Sequence, residues 1–188
     1  MWRKKINIWH VASLAGGLLY PLLVYLSAPY APPFMLISVG LALIAFRLWG
    51  MRRDNAAAVW GVAFVLAAAG LAILSMVAPD FAVMAYPALI SAAFASVFSA
   101  SLIWPPSVIE RFARIQEPDL SADGQRYTRR VTQVWAVFLL ANTAIAAATA
   151  IWGTIEQWTL WNGLISYLLM GALFTGEIAL RRFVRRVS

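Results

Sequence analysis

The chain contains no cysteine and one histidine, His10, among its 188 residues. The lack of cysteine excludes disulfides, thiolate-ligated zinc or iron–sulfur centres, and a thiol nucleophile. No carboxylate stands near His10 in sequence, so we interpret it as an interfacial packing residue. A phosphate-binding glycine loop, an HExxH motif and a Ser-His-Asp set are also missing. We therefore predict no metal and no cofactor, and a non-enzymatic role is favoured without excluding a membrane-embedded enzyme.

Charge is scarce as well. Charged residues make up 12% of the chain, whereas a soluble domain carries about 25%. Hydrophobic residues make up 62% and the mean hydropathy is +0.75, which indicates that most of the surface does not face water. The net charge of +7 could indicate a nucleic-acid partner. Because the basic residues lie between apolar segments, a membrane topology explains them better, and we predict no nucleic-acid partner.

Six apolar segments are candidate membrane spans, for which about 20 residues are needed. They cover residues 6–27, 34–49, 57–77, 81–103, 131–152 and 158–180. The first segment follows a basic run, as in a signal peptide, but it exceeds the usual apolar core of about 7–15 residues, so we interpret it as a retained span. The sequence predicts an all-α polytopic bundle of six transmembrane helices, one membrane domain over residues 1–188.

The basic residues indicate the orientation of these spans. All 15 Lys and Arg residues fall at alternate junctions: before span one, around the junction of spans two and three, after span four, and after span six. Such a bias is typical of cytoplasmic loops. We therefore predict a bacterial cytoplasmic (inner) membrane protein with both termini in the cytoplasm.

The cytoplasmic loop at residues 105–130 is predicted to contain an amphipathic helix between spans four and five. Ser107 and Glu110 have the spacing of a capping box, and Glu110 can pair with Arg114. The apolar face consists of Val108, Ile109, Phe112 and Ile115. This helix could lie on the inner leaflet. The segment from Gln125 is expected to continue as helix into span five.

Charged and phenolic side chains concentrate in the same loop. The candidate residues are Glu110, Arg111, Arg114, Glu117, Tyr127, Arg129 and Arg130. In one interpretation they contact an anionic head group, a phosphopantetheine phosphate or an acidic carrier protein, because arginine binds phosphate in bidentate fashion. In the other they provide ordinary positive-inside charge beside a self-paired helix. The sequence leaves both open.

A second candidate group lies within the spans, where polar side chains are costly unless they are paired. Asn142 is near the middle of span five, and Asn162 and Glu177 are in span six. They could contact a substrate, carry a proton or line a transport path. Alternatively, the asparagines join neighbouring helices and Glu177 pairs with Arg181.

Three further features concern packing within the spans. Arg47 is expected to extend its charge towards the membrane surface. Two Tyr-Pro pairs, Tyr20-Pro21 and Tyr86-Pro87, are expected to free a backbone carbonyl each and to kink their helices. Ladders of serine and alanine predict that span four is a packed interior helix.

Several strings in the second half, roughly residues 81 to 182, resemble a family of bacterial six-span inner-membrane proteins of uncharacterised function. The strings are Pro105–Arg111, Tyr127–Thr132 and Trp161–Gly163. Such relatives tend to be encoded beside acyl carrier proteins, ketosynthases and acyltransferases, in clusters like those for aryl polyene lipids. The resemblance implies an accessory, acyl- or lipid-handling role, with membrane lipids and possible acyl carrier or acyl-chain enzyme partners. The absent cysteine argues against a ketosynthase.

A shorter string, Trp135 to Asn142, is distantly similar to the intracellular septation protein A family. Two alternatives to the acyl-handling role therefore remain at this point. One is a small lipid transporter or flippase, and the other is an envelope or division scaffold.

Overall fold

The computed structural model describes residues 19–27, 29–51 and 57–187, without the side chains at 50, 51, 57–59, 116 and 180–187. The interpretation of His10, residues 6–18 of span one, and the basic residues at positions 3–5, 52 and 53 lie outside the described residues. The predicted pair between Glu177 and Arg181 also lies outside them, because the Arg181 side chain is not described.

The described part of the chain consists of helices joined by short turns, with no strand, which confirms the all-α prediction there. The elements in chain order are α1 (19–27), α2 (Pro33–Met51), α3 (Ala57–Val77), α4 (Pro79–Ile103), α5 (Val108–Gln116), α6 (Ala122–Trp152), α7 (Ile155–Leu160), a π-helical turn (Trp161–Ile165) and α8 (Ser166–Val187).

Three of the described helices are long and apolar enough to cross a membrane, in α3, α4 and α6. The apolar part of α2, Pro33–Trp49, is shorter. The boundaries predicted for spans two, three and four agree with α2, α3 and α4 to within two residues. By length and apolar composition, the prediction of a transmembrane helical protein is confirmed.

Helix α4 is the centre of the bundle and packs against α2, α3 and α6. Half of its most apolar stretch is buried, compared with 22% of the corresponding stretch in α3 and 28% of that in α6, as the serine and alanine ladders predict. Its small buried side chains, such as Ala82, Ser91 and Ala95, let neighbouring helices approach closely. Towards the α5 end, Phe94 makes edge contacts with Trp60 and Phe64, with both pairs of ring centroids 5.4 Å apart.

The turn of α4 before Pro87 accepts hydrogen bonds from two other helices. Pro87 has no N–H, so the Val83 carbonyl four residues earlier loses its usual helical donor. The Tyr20 hydroxyl of α1 donates to that oxygen at 3.2 Å. On the next residue, the Trp158 Nε1 of α7 donates to the Met84 carbonyl at 2.9 Å. The predicted free carbonyl is therefore satisfied by another helix, as a low-dielectric membrane interior requires.

Helix α6 is longer than a membrane is thick. Its 31 residues span about 46 Å, whereas the hydrocarbon core is about 30 Å. It begins at Ala122, three residues before the predicted Gln125, because the Ser121 hydroxyl caps it by accepting from Gly124 N at 3.2 Å. The polar first turns of α6 therefore extend beyond its apolar part.

The segment predicted as span six begins with a capped short helix and a π-helical turn. Thr154 and Gln157 form a capping box, with bonds of 3.3 and 3.0 Å between their backbone amides and side-chain oxygens. A side-chain hydrogen bond with Thr154 also lowers the pKa of the exposed Glu156 carboxyl. The π-helical turn then interrupts the α-helix that we predicted over 158–180. Such turns are local insertions that hydropathy does not indicate.

Candidate functional site

The short helix α5 is attached to the bundle by hydroxyl groups of its neighbours. The Val108 amide donates to Ser101 Oγ at 3.1 Å, and the Ile109 amide donates to Thr132 Oγ1 at 3.3 Å. Ser101 belongs to α4 and Thr132 to α6, so tertiary contacts satisfy amides that a helix N-terminus leaves free. The position of α5 therefore depends on the packing of α4 against α6.

The capping box predicted at Ser107 and Glu110 is wrong. Ser107 accepts no capping hydrogen bond with its side chain, and its buried Oγ has no partner in the described part of the chain. Glu110, which is only 8% exposed, instead accepts from Arg114 Nε at 3.0 Å and from its Nη2 at 2.8 Å. Arg114 also donates to the Pro118 carbonyl at 3.2 Å. Glu110 is therefore paired near the C-terminal end of α5 and does not cap its N-terminus.

Two other arginines hold the corner between α4 and α5. Arg111 Nε donates to the Pro106 carbonyl at 2.9 Å, and Arg129 Nη2 donates to the Leu102 carbonyl at 2.9 Å. Arg129 thereby satisfies one of the carbonyls that the last turn of α4 leaves free. A guanidinium has five N–H donors, so each arginine keeps donors beyond its bond to the corner.

The other members of the predicted group lie just after α5 and in the first turns of α6, and these two helices pack against each other. Glu117 and Arg130 are exposed, and Tyr127 is half-buried. Arg126, which the prediction did not include, forms an exposed ion pair with Asp123. The structure brings the predicted residues to one end of the bundle, where several of them hold the local fold.

A first apolar groove of about 310 Å³ lies where α4, α5, α6 and α8 meet. Its lining consists of Phe98, Ile109, Phe112, Ala113, Val131, Trp135, Phe174 and Glu177. Glu177 is the ionisable residue in this lining, which is otherwise aliphatic and aromatic. A carboxylate in this groove disfavours the anionic end of a ligand but not a hydrocarbon chain.

A second groove of about 300 Å³ lies on the other side of α5, towards α3 and α4. Its lining consists of Trp60, Val97, Ala100, Ser101, Trp104, Val108, Arg111, Phe112 and Ile115. Here the ionisable residue is Arg111, whose charge favours an anionic group. Both volumes are at the lower end of the range for ligand pockets, about 300–1,000 Å³. Phe112 lines both grooves, so α5 is the partition between them.

Asn142 joins three parts of the bundle. Its Nδ2 donates to Ser91 Oγ of α4 at 3.1 Å, and its Oδ1 accepts from Trp161 Nε1 of the π-helical turn at 3.2 Å. Ser91 in turn donates to the Leu139 carbonyl of α6 at 3.3 Å. Both polar atoms of the Asn142 side-chain amide are therefore hydrogen-bonded to other parts of the bundle.

Asn162 is also engaged by the protein. It is 3% exposed, and its Nδ2 lies 2.9 Å from the Trp158 carbonyl and 3.3 Å from Thr149 Oγ1. Glu177 lies fifteen residues further along, about 22 Å in a helix, and lines the first groove. The intramembrane candidates are therefore not gathered in one site, and the contacts of the two asparagines favour the packing interpretation.

Apart from Phe112, the sequence did not indicate the aromatic residues of the grooves. These residues are Trp60, Phe98, Trp135 and Phe174, which come from four different helices, and Trp104, which follows the end of α4. The spacing of such residues along each helix resembles ordinary apolar packing. Their common position near the ends of their spans was the available signal. It does not specify which rings face each other.

Comparisons with protein-family models, with curated proteins and with solved structures find no match to this chain. The resemblances described from the sequence remain predictions. The function is therefore inferred from α5 and the two grooves beside it.

Proposed function

We propose that this chain is a non-catalytic bacterial inner-membrane protein that holds the acyl chain of an anionic amphiphile beside α5. The observation that carries the proposal is a pair of apolar grooves flanking one amphipathic helix, with Arg111 in the lining of the second. The aliphatic and aromatic lining suits a hydrocarbon chain. The remaining donors of Arg111 suit a phosphate oxygen of the head group.

The proposed topology has six spans with α5 at the cytoplasmic face and both termini in the cytoplasm. Its support is the one-sided distribution of basic residues, including the arginines of α5 and the polar first turns of α6. Phe112 and Ile115 are 56% and 65% exposed, as expected for an amphipathic helix that faces the inner leaflet.

The orientation of the amphiphile follows from the chemistry of the second groove. Trp60 and Trp104 carry amphipathic rings, which prefer the level of the lipid head groups. Arg111 would hold the phosphate at that level, and the chain would run along Val97 and Ala100. Glu177 makes the first groove a poorer place for the anionic end, so the second groove is the head-group side.

The pathway assignment is an accessory role in lipid or aryl-polyene-like acyl assembly. It rests on the family resemblance and on the lack of a recognisable catalytic set. An acidic acyl carrier protein would meet Arg130, which is exposed, more readily than Arg111 and Arg129, which hold the α4–α5 corner. The engagement of Asn142 and Asn162 in helix packing favours this static role over a transport path through them.

The test is native mass spectrometry of the purified protein with phosphatidylglycerol and with phosphatidylcholine of matched chains. Ala100→Phe is expected to fill the second groove and to lower retention of both lipids. Arg111→Gln is expected to remove the preference for the anionic lipid. Ala141→Phe, on an exposed position of α6, is the matched control and should change neither. Equal retention by wild type, Ala100→Phe and Ala141→Phe would contradict the groove assignment.

A further inference from the structure

Arg47 is a cation in the apolar part of α2 and is not among the lining residues of either groove. Its side chain is half-buried, and the guanidinium carbon lies 5.8 Å from the centroid of the Phe64 ring. Its Nε is buried and has no acceptor among the described residues. A cation within a span usually marks a ligand, ion or partner site, because an unpaired charge there is costly.

Tyr86 of α4 presents a second buried donor close to this charge. The residue is 3% exposed, and its hydroxyl has no hydrogen-bond partner in the described ranges. Its ring packs on α2 at Gly40, where an added Cβ would lie 3.0 Å from Cδ2. Gly40 and Arg47 are seven residues apart and share one face of α2. The Arg47 charge acts electrostatically on both Tyr86 and Tyr167.

Tyr20, which lies beside Tyr86, differs from it in having a hydrogen-bond partner. Tyr20 is stacked near Tyr86, with ring centroids 4.3 Å apart, and its hydroxyl donates to the Val83 carbonyl. Among the described residues, one of these two adjacent buried phenols therefore has a hydrogen-bond partner and the other has none. Arg47 Nε can only donate, and Tyr86 Oη can donate as well as accept, so the group that both can bond is an acceptor, and beside a guanidinium a negatively charged one.

We propose that Arg47 and Tyr86 bind the carboxylate of a long-chain fatty acid within the bundle. The guanidinium and the hydroxyl can each donate to one of the two oxygens of a carboxylate. The neutral acid form also enters apolar surroundings at lower cost than a phosphate, which keeps its charge. The site shares no residue with the grooves beside α5 and does not depend on the function proposed for them.

Binding of palmitate to the purified full-length protein, measured by isothermal titration calorimetry, tests the site. The Ala100→Phe background removes the second groove as a competing location. In it, Arg47→Gln should weaken palmitate binding about tenfold or more, and Tyr86→Phe about fivefold. Arg126→Gln and Tyr25→Phe are matched controls on exposed side chains and should leave the affinity unchanged. Arg47→Lys keeps the charge but lacks Nε and should also weaken binding.

The ligand-free stability of Tyr86→Phe separates a ligand-binding role from a structural one. The variant removes a hydroxyl that has no hydrogen-bond partner among the described residues, so its Tm should equal or exceed that of the wild type while its affinity for palmitate falls. A lower Tm with unchanged affinity would overturn the assignment.

Further outcomes identify the ligand. Palmitate binding that survives Arg47→Gln but is lost in Ala100→Phe would overturn this site and support the groove instead. Hexadecyl phosphate binding more tightly than palmitate would overturn the carboxylate assignment. Acetate binding as tightly as palmitate would overturn the long-chain assignment.

Discussion

The hydrogen bond between Tyr20 and the Val83 carbonyl allows a sharp test of how the bundle is held together. Hydrogen bonds between membrane helices contribute about 0.6 kcal/mol on average and about 1.7 kcal/mol at most. The Val83 carbonyl lacks its helical donor because residue 87 is proline, so the contribution should be near the upper value. We expect Tyr20→Phe to lower the free energy of unfolding by about 1.5 kcal/mol.

The matched background is Pro87→Ala, which restores an amide that donates to Val83 within α4. In that background Tyr20→Phe should cost only about 0.5 kcal/mol, giving a coupling energy of about 1 kcal/mol between the two positions. The measurement is reversible unfolding in bicelles for the four members of the cycle. Tyr25→Phe, at a 40% exposed position on α1, controls for loss of a phenol.

Equal losses for Tyr20→Phe in the two backgrounds would refute the reasoning. The hydroxyl would then not replace the missing amide, and its shorter distance to Val83 than to the Leu36 carbonyl, 3.2 against 3.4 Å, would have no energetic meaning.

Two further predictions concern the contacts between helices. Asn142→Leu should destabilise the bundle by about 0.6–1.7 kcal/mol in the same unfolding assay, because the amide serves α4 and the π-helical turn at once; unchanged stability would contradict its packing role. Ser101→Ala should leave the Val108 amide without its acceptor and speed its hydrogen exchange severalfold, while exchange in the middle of α6 stays the same; equal exchange at Val108 would show that the hydroxyl does not hold α5.

The sequence predicted α2, α3 and α4 closely because each is an apolar run with polar or proline boundaries. The π-helical turn at Trp161–Ile165 was missed, since hydropathy over a window of about 20 residues does not detect a local insertion. The capping prediction at Ser107 failed for a different reason. The motif considers neighbours in sequence, whereas the amides that start α5 meet hydroxyls on α4 and α6.

The candidate sites show the same difference between contacts within one helix and contacts between helices. The i,i+4 pair of Glu110 and Arg114 could be predicted because helix geometry alone brings the two together. The partners of Asn142 could not, because Ser91 and Trp161 are 51 and 19 residues away in sequence. Arg47 was expected only to reach towards the membrane surface. Its neighbours Phe64 and Tyr86 come from two other helices, so their arrangement follows from packing.

The turn before Pro87 also has a consequence for the order of assembly. Its contact with Tyr20 joins residues 63 apart, and both are present as soon as α4 has been synthesised. Its contact with Trp158 spans 74 residues, a delay of about 4–15 s at bacterial rates of chain growth. The pairing of α1 with α4 can therefore precede synthesis of α7. The Trp158 indole of α7 then binds to the turn that α1 already contacts. A truncation before α7 should retain the early pairing and lose the later one.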